Sequence, residues 1–130
     1  MERDGFVSLW LGKIDSQDSL DEYAELVYTD SGEWLPSQFL ADFKIEMDDF
    51  DEDFIENVCH ESDAQTLAEL ITGCSYENVV LTRFINICGD KLQKGINCAI
   101  LLYNFDYNGN VKDTKNNELS LKFIGTVEYR

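Results

Sequence analysis

One uninterrupted apolar segment constrains the fold of this chain more than any other feature. The residues Cys98-Ala99-Ile100-Leu101-Leu102-Tyr103 follow one another without a polar interruption. A strand with one face in solvent alternates apolar and polar side chains, whereas a continuous apolar run is typical of a central strand covered on both faces. We therefore expect a sheet that is packed by helices.

Three further segments have the composition of strands. Phe6–Leu11 is apolar and is expected to end at Gly12, and Leu119–Tyr129 alternates as a half-exposed antiparallel strand does. Phe54–Cys59 favours a strand, although its first two residues fit neither the strand period nor the helix period well. Asn108-Gly109 predicts the type I′ turn of a hairpin that leads back into the last strand.

Two helices are predicted between the first strand and an acidic stretch. Ser19 and Glu22 have the spacing of a capping box and precede an apolar face, which predicts a helix over 19–28. A short helix is expected after Pro36, because proline suits the first turn of a helix. The acidic stretch Glu46–Asp53 then predicts a loop.

Two more helices are predicted before the apolar run. Ser62 and Gln65 form a second capping box, and the helix that they open should stop at Gly73. Ser75 can cap the next helix, which we expect to end at Gly89. Together the elements predict an α/β protein of the α+β kind, in which a mixed sheet of about four strands is packed by about four helices and ends in an antiparallel hairpin.

The chain length predicts a single domain over residues 1–130. A second core in 130 residues would leave each half too small to stabilise itself. No stretch has the roughly 18 apolar residues of a membrane span, and the N-terminus is too polar to open a signal peptide. We therefore expect a cytoplasmic protein that does not bind membranes and exists as a monomer or weak dimer.

Four cysteines lie at Cys59, Cys74, Cys88 and Cys98, and no pair has CxxC spacing. Their even number leaves a disulfide framework open in principle. However, Cys74, Cys88 and Cys98 lie in apolar segments, where a free thiol behaves as a small buried hydrophobe. We therefore favour reduced core thiols over disulfides or a zinc site.

The charge is distributed unevenly along the chain, whose net charge is −16. Residues 1–63 contain 19 Asp and Glu against three Lys and Arg, whereas residues 64–130 contain seven of each kind. A field of that size repels nucleic acid and anionic lipid and speeds encounter with a basic partner. Acidic surfaces also keep proteins soluble, so the charge alone leaves a purely solubilising role open.

Candidate catalytic and metal sites are weak. The cluster Asp48–Asp53 has calcium-type ligands without the spacing or central glycine of an EF-hand, and Asp106–Asn110 is better explained as a turn. The nuclease-like triplets Asp42-Phe43-Lys44 and Asp113-Thr114-Lys115 arise readily by chance in such a composition. His60 has no nucleophile motif beside it, and we expect it to be a surface histidine at the end of a strand. We expect no enzyme and no cofactor.

The two tryptophans lead to different expectations. Trp10 lies on an apolar strand and is predicted to be in the core. Trp34 lies in a polar connection between acidic stretches, where an exposed aromatic is typical of an interface hot spot surrounded by steering charge. The alternative is that Trp34 folds over the first helix as a lid.

Several segments, spread over nearly the whole chain, carry a resemblance to a known family. Its most specific parts are the strand motif Val7–Gly12, with Trp10, and the segment Leu35–Phe39, with Pro36-Ser37-Gln38-Phe39. The supporting segments are Tyr28–Gly32, Asp42-Phe43, Asp51–Glu56, Tyr103-Asn104-Phe105, Phe123-Ile124-Gly125 and Glu128-Tyr129. With these motifs the chain resembles the immunity protein 22 family of bacterial polymorphic toxin systems.

The resemblance implies a cytoplasmic antidote, encoded beside a toxin, that protects the producing cell and its kin. Such a protein acts by binding the toxin domain stoichiometrically, without a cofactor, and the resemblance supplies no catalytic residues. The chain departs from the family pattern at Trp34, where an aliphatic or small residue is expected.

Charge and resemblance together predict a contact surface for a basic toxin domain. Many toxin domains are nucleases with basic grooves, which an acidic protein can occupy by presenting carboxylates where phosphates would lie. The residues expected to face the toxin are Asp48, Asp49, Asp51, Glu52, Asp53 and Glu56, with Asp30, Glu33 and Trp34 adjoining. The alternative function is a non-enzymatic regulatory adaptor that binds a basic partner or calcium.

Overall fold

A computed structural model describes residues 2–46, 54–115 and 119–129 of the chain. The elements alternate between strands and short helices. Their bounds are β1 Glu2–Ile14, α1 Gln17–Ala24, β2 Val27–Tyr28, β3 Trp34–Leu35, α2 Gln38–Phe43, β4 Ile55–Cys59, α3 Leu67–Ile71, α4 Glu77–Cys88, β5 Cys98–Phe105, β6 Asp113–Lys115 and β7 Leu119–Glu128.

Five strands form one sheet in the order β4-β5-β1-β7-β6, and β2 and β3 form a separate small hairpin. The predicted α+β class is confirmed. The sheet has five strands rather than four, and all its pairs are antiparallel rather than mixed. The apolar run is β5, which lies inside the sheet between β4 and β1 and is buried along nearly its whole length.

Two apolar clusters cover the two faces of the sheet, which explains why β5 has no polar side. Ile100 and Leu102 pack in a cluster with the buried residues of α1 and α2. Ala99 and Leu101 point the other way, into a cluster with the buried residues of α3 and α4. Among the described residues, none of the helices has the length and apolar character of a membrane span.

Trp10 lies at the centre of the first cluster, which confirms the prediction that it is in the core. Its side chain is fully buried. The ring of Phe39 meets it edge-on at 4.9 Å between centroids, and Phe123 and Tyr107 lie at 5.2 and 5.5 Å. Such edge-to-face and tilted contacts add to the apolar burial and fix how α2 sits on the sheet.

The helix starts differ from the predicted capping boxes. Ser16, not Ser19, caps α1 by accepting a hydrogen bond from the backbone N–H of Ser19 at 3.1 Å. Thr66 caps α3 in the same way, so the predicted box of Ser62 and Gln65 is wrong. In each case another hydroxyl two to four residues away has the geometry of the cap, which spacing alone does not reveal.

The predicted hairpin turn at Asn108-Gly109 is also wrong. Because β5 is already paired with β4 on one side and β1 on the other, the segment that follows it cannot form a hairpin with β5. That segment pairs instead at the free edge of β7. It does so by forming β6, which pairs with β7 as Asp113↔Lys122. Asn108-Gly109 therefore lies in the connection from β5 to β6, and the C-terminal hairpin consists of β6 and β7.

Gly12 does not end the first strand, since β1 continues to Ile14. A β-carbon at Gly12 would overlap the backbone carbonyl of Ser120 on the neighbouring strand β7. Glycine inside a strand often marks such a close approach of two backbones. The pairing of β1 with β7 therefore requires the absence of a side chain at this position.

We predict that Gly12→Ala lowers the free energy of unfolding by about 3 kcal/mol, because the backbone of β7 must move to admit the methyl group. Gly125→Ala is the matched control on β7, where the added carbon would meet only the flexible end of the Ile87 side chain. We expect Gly125→Ala to lower the free energy of unfolding by less than about 1 kcal/mol. Urea denaturation followed by circular dichroism measures both, and equal losses would contradict the role assigned to Gly12.

Candidate functional site

The predicted contact residues fall into three groups. Asp48, Asp49, Asp51, Glu52 and Asp53 lie outside the described residues. Asp30, Glu33 and Trp34 belong to the hairpin of β2 and β3, which connects the two helices of the first layer. Glu56 lies on β4, opposite Leu101 of β5, and faces the layer of α3 and α4.

The hairpin presents two aromatic rings in tilted contact to solvent. Tyr28 and Trp34 are direct cross-strand partners whose ring centroids lie 4.7 Å apart. The turn between them is closed by the N–H of Thr29, which donates to the Glu33 carbonyl at 2.8 Å. The Trp34 side chain is 50% exposed. This geometry favours the exposed aromatic over the lid, and the exposed carboxylates of Asp30 and Glu33 flank it.

A second candidate site is a cavity of about 250 Å³ at the β4 edge of the sheet. Its walls are aromatic and its polar groups come from one carboxylate and one backbone segment. We call it the tyrosine pocket, and its lining residues are Phe54, Glu56, Ser75, Tyr76, Tyr103 and Tyr129.

Glu56 is held in the tyrosine pocket by the segment before α4. Its Oε1 accepts a hydrogen bond from the backbone N–H of Ser75 at 2.9 Å. The Tyr103 hydroxyl donates to the Ser75 carbonyl at 2.8 Å and lies within hydrogen-bonding reach of the Glu56 carboxylate. Burial, and then the hydrogen bond with Glu56, raise the pKa of Tyr103 well above its usual range, so its hydroxyl stays protonated.

Tyr76 forms the rim of the pocket in an unusual backbone conformation. Its φ of 58° is left-handed, and it precedes α4 without a side-chain cap. A bulky residue in this region costs roughly 1–2 kcal/mol, and such residues are often found where function requires a fixed side chain. The ring lies 4.6 Å from that of Tyr129, and the side chain is 54% exposed.

The sequence analysis found Glu56 but missed the aromatic residues around it. Phe54 precedes β4, Tyr76 precedes α4, Tyr103 is on β5 and Tyr129 follows β7. No local spacing links four elements so far apart in the chain. The signal available was the high tyrosine content near strand ends, which does not specify a pocket without the strand order.

The positive charges of the second half collect at the opposite side of the sheet. Two adjoining grooves share the side chains of Leu11, Gln93, Ile96 and Lys122, and their other charged lining residues are Lys91, Lys94, Lys115 and the acidic Asp113. Lys115 is on β6, the edge strand farthest from β4 in the sheet order. Four of the lysines in residues 64–130 therefore line these two grooves.

The weaker candidates have structural roles. His60 lies at the end of β4, where its Nε2 is 3.0 Å from the Leu70 carbonyl oxygen. Asp42 accepts a hydrogen bond from the Tyr23 hydroxyl, which joins α1 to α2, and a second one from the Gln38 amide within α2. Within the described ranges there is no group of three or more His, Cys, Asp and Glu that could hold a metal ion.

The four thiols are free, and two of them are in the core. Cys74, beside the tyrosine pocket, and Cys98, at the start of β5, are buried as expected, whereas Cys88 is exposed and the prediction for it was wrong. Cys88 is the last residue of α4, one turn beyond the buried Phe84. Burial, and then the charges of Glu56 and Glu77, raise the pKa of Cys74 to about 12, and burial raises that of Cys98 to about 12.

Because the pKa values of these two buried thiols are raised, we predict that the protein loses stability at alkaline pH. Both pKa values are higher in the folded protein, so their contribution is fully present below the unfolded pKa of about 8.5 and is lost as the pH rises above it. At pH 10 the titration of each thiol should lower the free energy of unfolding by about 2 kcal/mol relative to pH 7.5. Urea denaturation at both pH values measures the loss, which should be clearly smaller in the double variant Cys74→Ala/Cys98→Ala. An equal loss in that variant would contradict the assignment.

A family model described as Immunity protein 22 matches residues 7–130. The match includes the aromatic hairpin, the tyrosine pocket and every helix of the structure. No curated protein and no solved structure matches the chain.

Proposed function

The chain belongs to the immunity protein 22 family, and we propose that it neutralises a cognate bacterial toxin domain in the cytoplasm by binding it through an acidic surface. The family name assigns immunity against a toxin, and this is the observation that carries the proposal. Inhibition by binding requires no chemistry from the immunity protein. The proposal therefore includes no catalytic residue and no cofactor.

The proposed contact surface is the β4 edge of the sheet. In the sequence, the acidic run Glu46–Asp53 immediately precedes Phe54, which lines the tyrosine pocket together with Glu56. The lysine-lined grooves lie toward the opposite edge. Such an arrangement orients a basic partner toward β4 during encounter, because charges of opposite sign at the two edges act on its approach in the same sense.

The proposed target is a basic groove, such as the substrate groove of a nuclease. Carboxylates that replace phosphates in such a groove accept charge-assisted hydrogen bonds from Arg and Lys, which are about twice as strong as neutral ones. The protein would then block the substrate by occupying its place. The hairpin with Asp30, Glu33 and Trp34 is proposed as an adjoining contact.

Co-expression tests the proposal directly. The toxin domain encoded beside the immunity gene should arrest growth of a host cell when expressed alone, and growth should return when this protein is expressed with it. Purified toxin domain and immunity protein should form a one-to-one complex by calorimetry. Continued growth arrest in the presence of the folded protein would overturn the proposal.

We predict that reversing Asp49, Asp51 and Asp53 to Lys weakens binding of the toxin domain by at least about a hundredfold, mainly through a slower association rate. The steep salt dependence of the wild-type rate should disappear with the reversed charges. Surface plasmon resonance at several salt concentrations measures both quantities.

The matched control reverses three carboxylates that are exposed elsewhere, namely Glu22, Glu25 and Glu61. This variant has the same net charge and should lose much less affinity. If both triple variants bind equally weakly, the overall field of the protein and not the acidic run is responsible. Unchanged affinity and salt dependence in the first variant would refute the proposed contact.

We further predict that Trp34→Ala weakens toxin binding by about 2 kcal/mol or more, as expected of an aromatic hot spot. The matched control is Ile87→Ala on α4, whose side chain is also 50% exposed. The control should bind as the wild type does. Calorimetry gives both affinities, and a wild-type value for Trp34→Ala would exclude the hairpin from the interface.

A further inference from the structure

We infer that the tyrosine pocket is the binding site for an arginine side chain of the toxin. The inference rests on the proposed function and names a contact within it. The occupant is one guanidinium group, stacked on the face of an aromatic ring and paired with Glu56. Three features of the pocket carry the inference, and they are its size, its carboxylate and its rings.

The size of the pocket suits one side chain. Its volume of about 250 Å³ lies below the roughly 300–1,000 Å³ of pockets that hold small-molecule ligands. Its mouth is formed by Phe54 and Tyr76, which are both exposed. A long side chain that projects from a partner surface could therefore enter without rearrangement of the core.

The carboxylate of Glu56 selects a cation with several donors. An ionised carboxylate can accept about four hydrogen bonds, and the N–H of Ser75 donates one to Glu56, whereas the Tyr103 hydroxyl donates its proton to the Ser75 carbonyl. Acceptor capacity for a ligand remains. The Ser75 bond also holds the carboxylate in position before a ligand arrives, which reduces the entropy lost on binding.

The rings select arginine over lysine. Tyr76 and Tyr129 lie 4.6 Å apart at an interplanar angle of 45°, and Tyr103 meets Tyr129 nearly edge-on at 5.3 Å. A planar guanidinium can stack on one of these faces while it donates to Glu56 in its own plane. An ammonium group is a compact, strongly hydrated charge and gains less from a stacked arrangement.

The first test uses a short acetylated and amidated peptide, Gly-Arg-Gly, titrated into the full chain and followed by NMR. The matched control peptide replaces arginine by citrulline, which has nearly the same shape and no charge. The arginine peptide should shift the ring resonances of Tyr76, Tyr103 and Tyr129 with a roughly millimolar dissociation constant. Equal shifts with both peptides, or none with either, would overturn the inference.

Two variants test the groups assigned to binding. Glu56→Gln keeps an oxygen that accepts the hydrogen bond from Ser75 and removes the charge, so it should weaken the affinity for the arginine peptide by at least about tenfold. Tyr76→Gly removes the ring but keeps the left-handed backbone without strain, and it should weaken the affinity for the arginine peptide by about threefold to tenfold. Asp113→Asn, on the opposite edge strand, removes one exposed carboxylate and should leave the affinity unchanged.

The toxin domain encoded beside the gene provides the second arm. If the inference is correct, Glu56→Gln and Tyr76→Gly weaken the complex while Asp113→Asn does not. If the toxin binds all four proteins equally, the proposed function stands and the pocket is not part of the interface. If the wild type does not bind the toxin at all, the proposed function fails, and the peptide titration still decides whether the pocket recognises arginine.

Discussion

The backbones of β1 and β7 approach each other so closely at Gly12 that no side chain fits between them, and the rest of the fold depends on this pairing. β1 is the middle strand of the sheet and pairs with β5 on its other side. Its alternate residues enter the two apolar clusters, with Trp10 in one and Leu9 and Leu11 in the other. Both helical layers are therefore positioned relative to one strand, and a shift of its register would expose the core residues of both.

The parts of the fold that local composition determines could be predicted, and the parts that strand order determines could not. The apolar run of β5 predicted an inner strand, because burial on two faces leaves no place for a polar residue. Asn108-Gly109 has the composition of a hairpin turn, yet the position of β1 between β5 and β7 prevents a hairpin there. No local pattern indicates the role of Asn97, whose buried side chain forms hydrogen bonds with the backbone of Ile14 and His60 and so joins the ends of β1 and β4.

The residues of the candidate site also divide into those that local composition indicates and those that depend on the strand order. Charge is a property of composition, so the acidic run and Glu56 could be identified before the structure was known. The tyrosine pocket depends on contacts between segments far apart in the chain, and its strained residue, Tyr76, lies where the sequence suggested only a helix start. The exposed ring of Trp34 is intermediate, because its polar neighbours favoured exposure while its cross-strand contact with Tyr28 required the hairpin to be known.

Charge and pocket would contribute differently to recognition of a toxin. At physiological ionic strength, exposed charges act over about 8 Å, so an excess of acidic side chains would accelerate encounter with many basic proteins and discriminate poorly among them. Discrimination requires contacts that fail when one group is misplaced, because a desolvated carboxylate without its partner costs more than a screened one. Glu56, fixed by Ser75 and enclosed by rings, has that property, whereas carboxylates in open solvent lack it. Such a pocket would therefore supply a specificity that net charge alone does not provide.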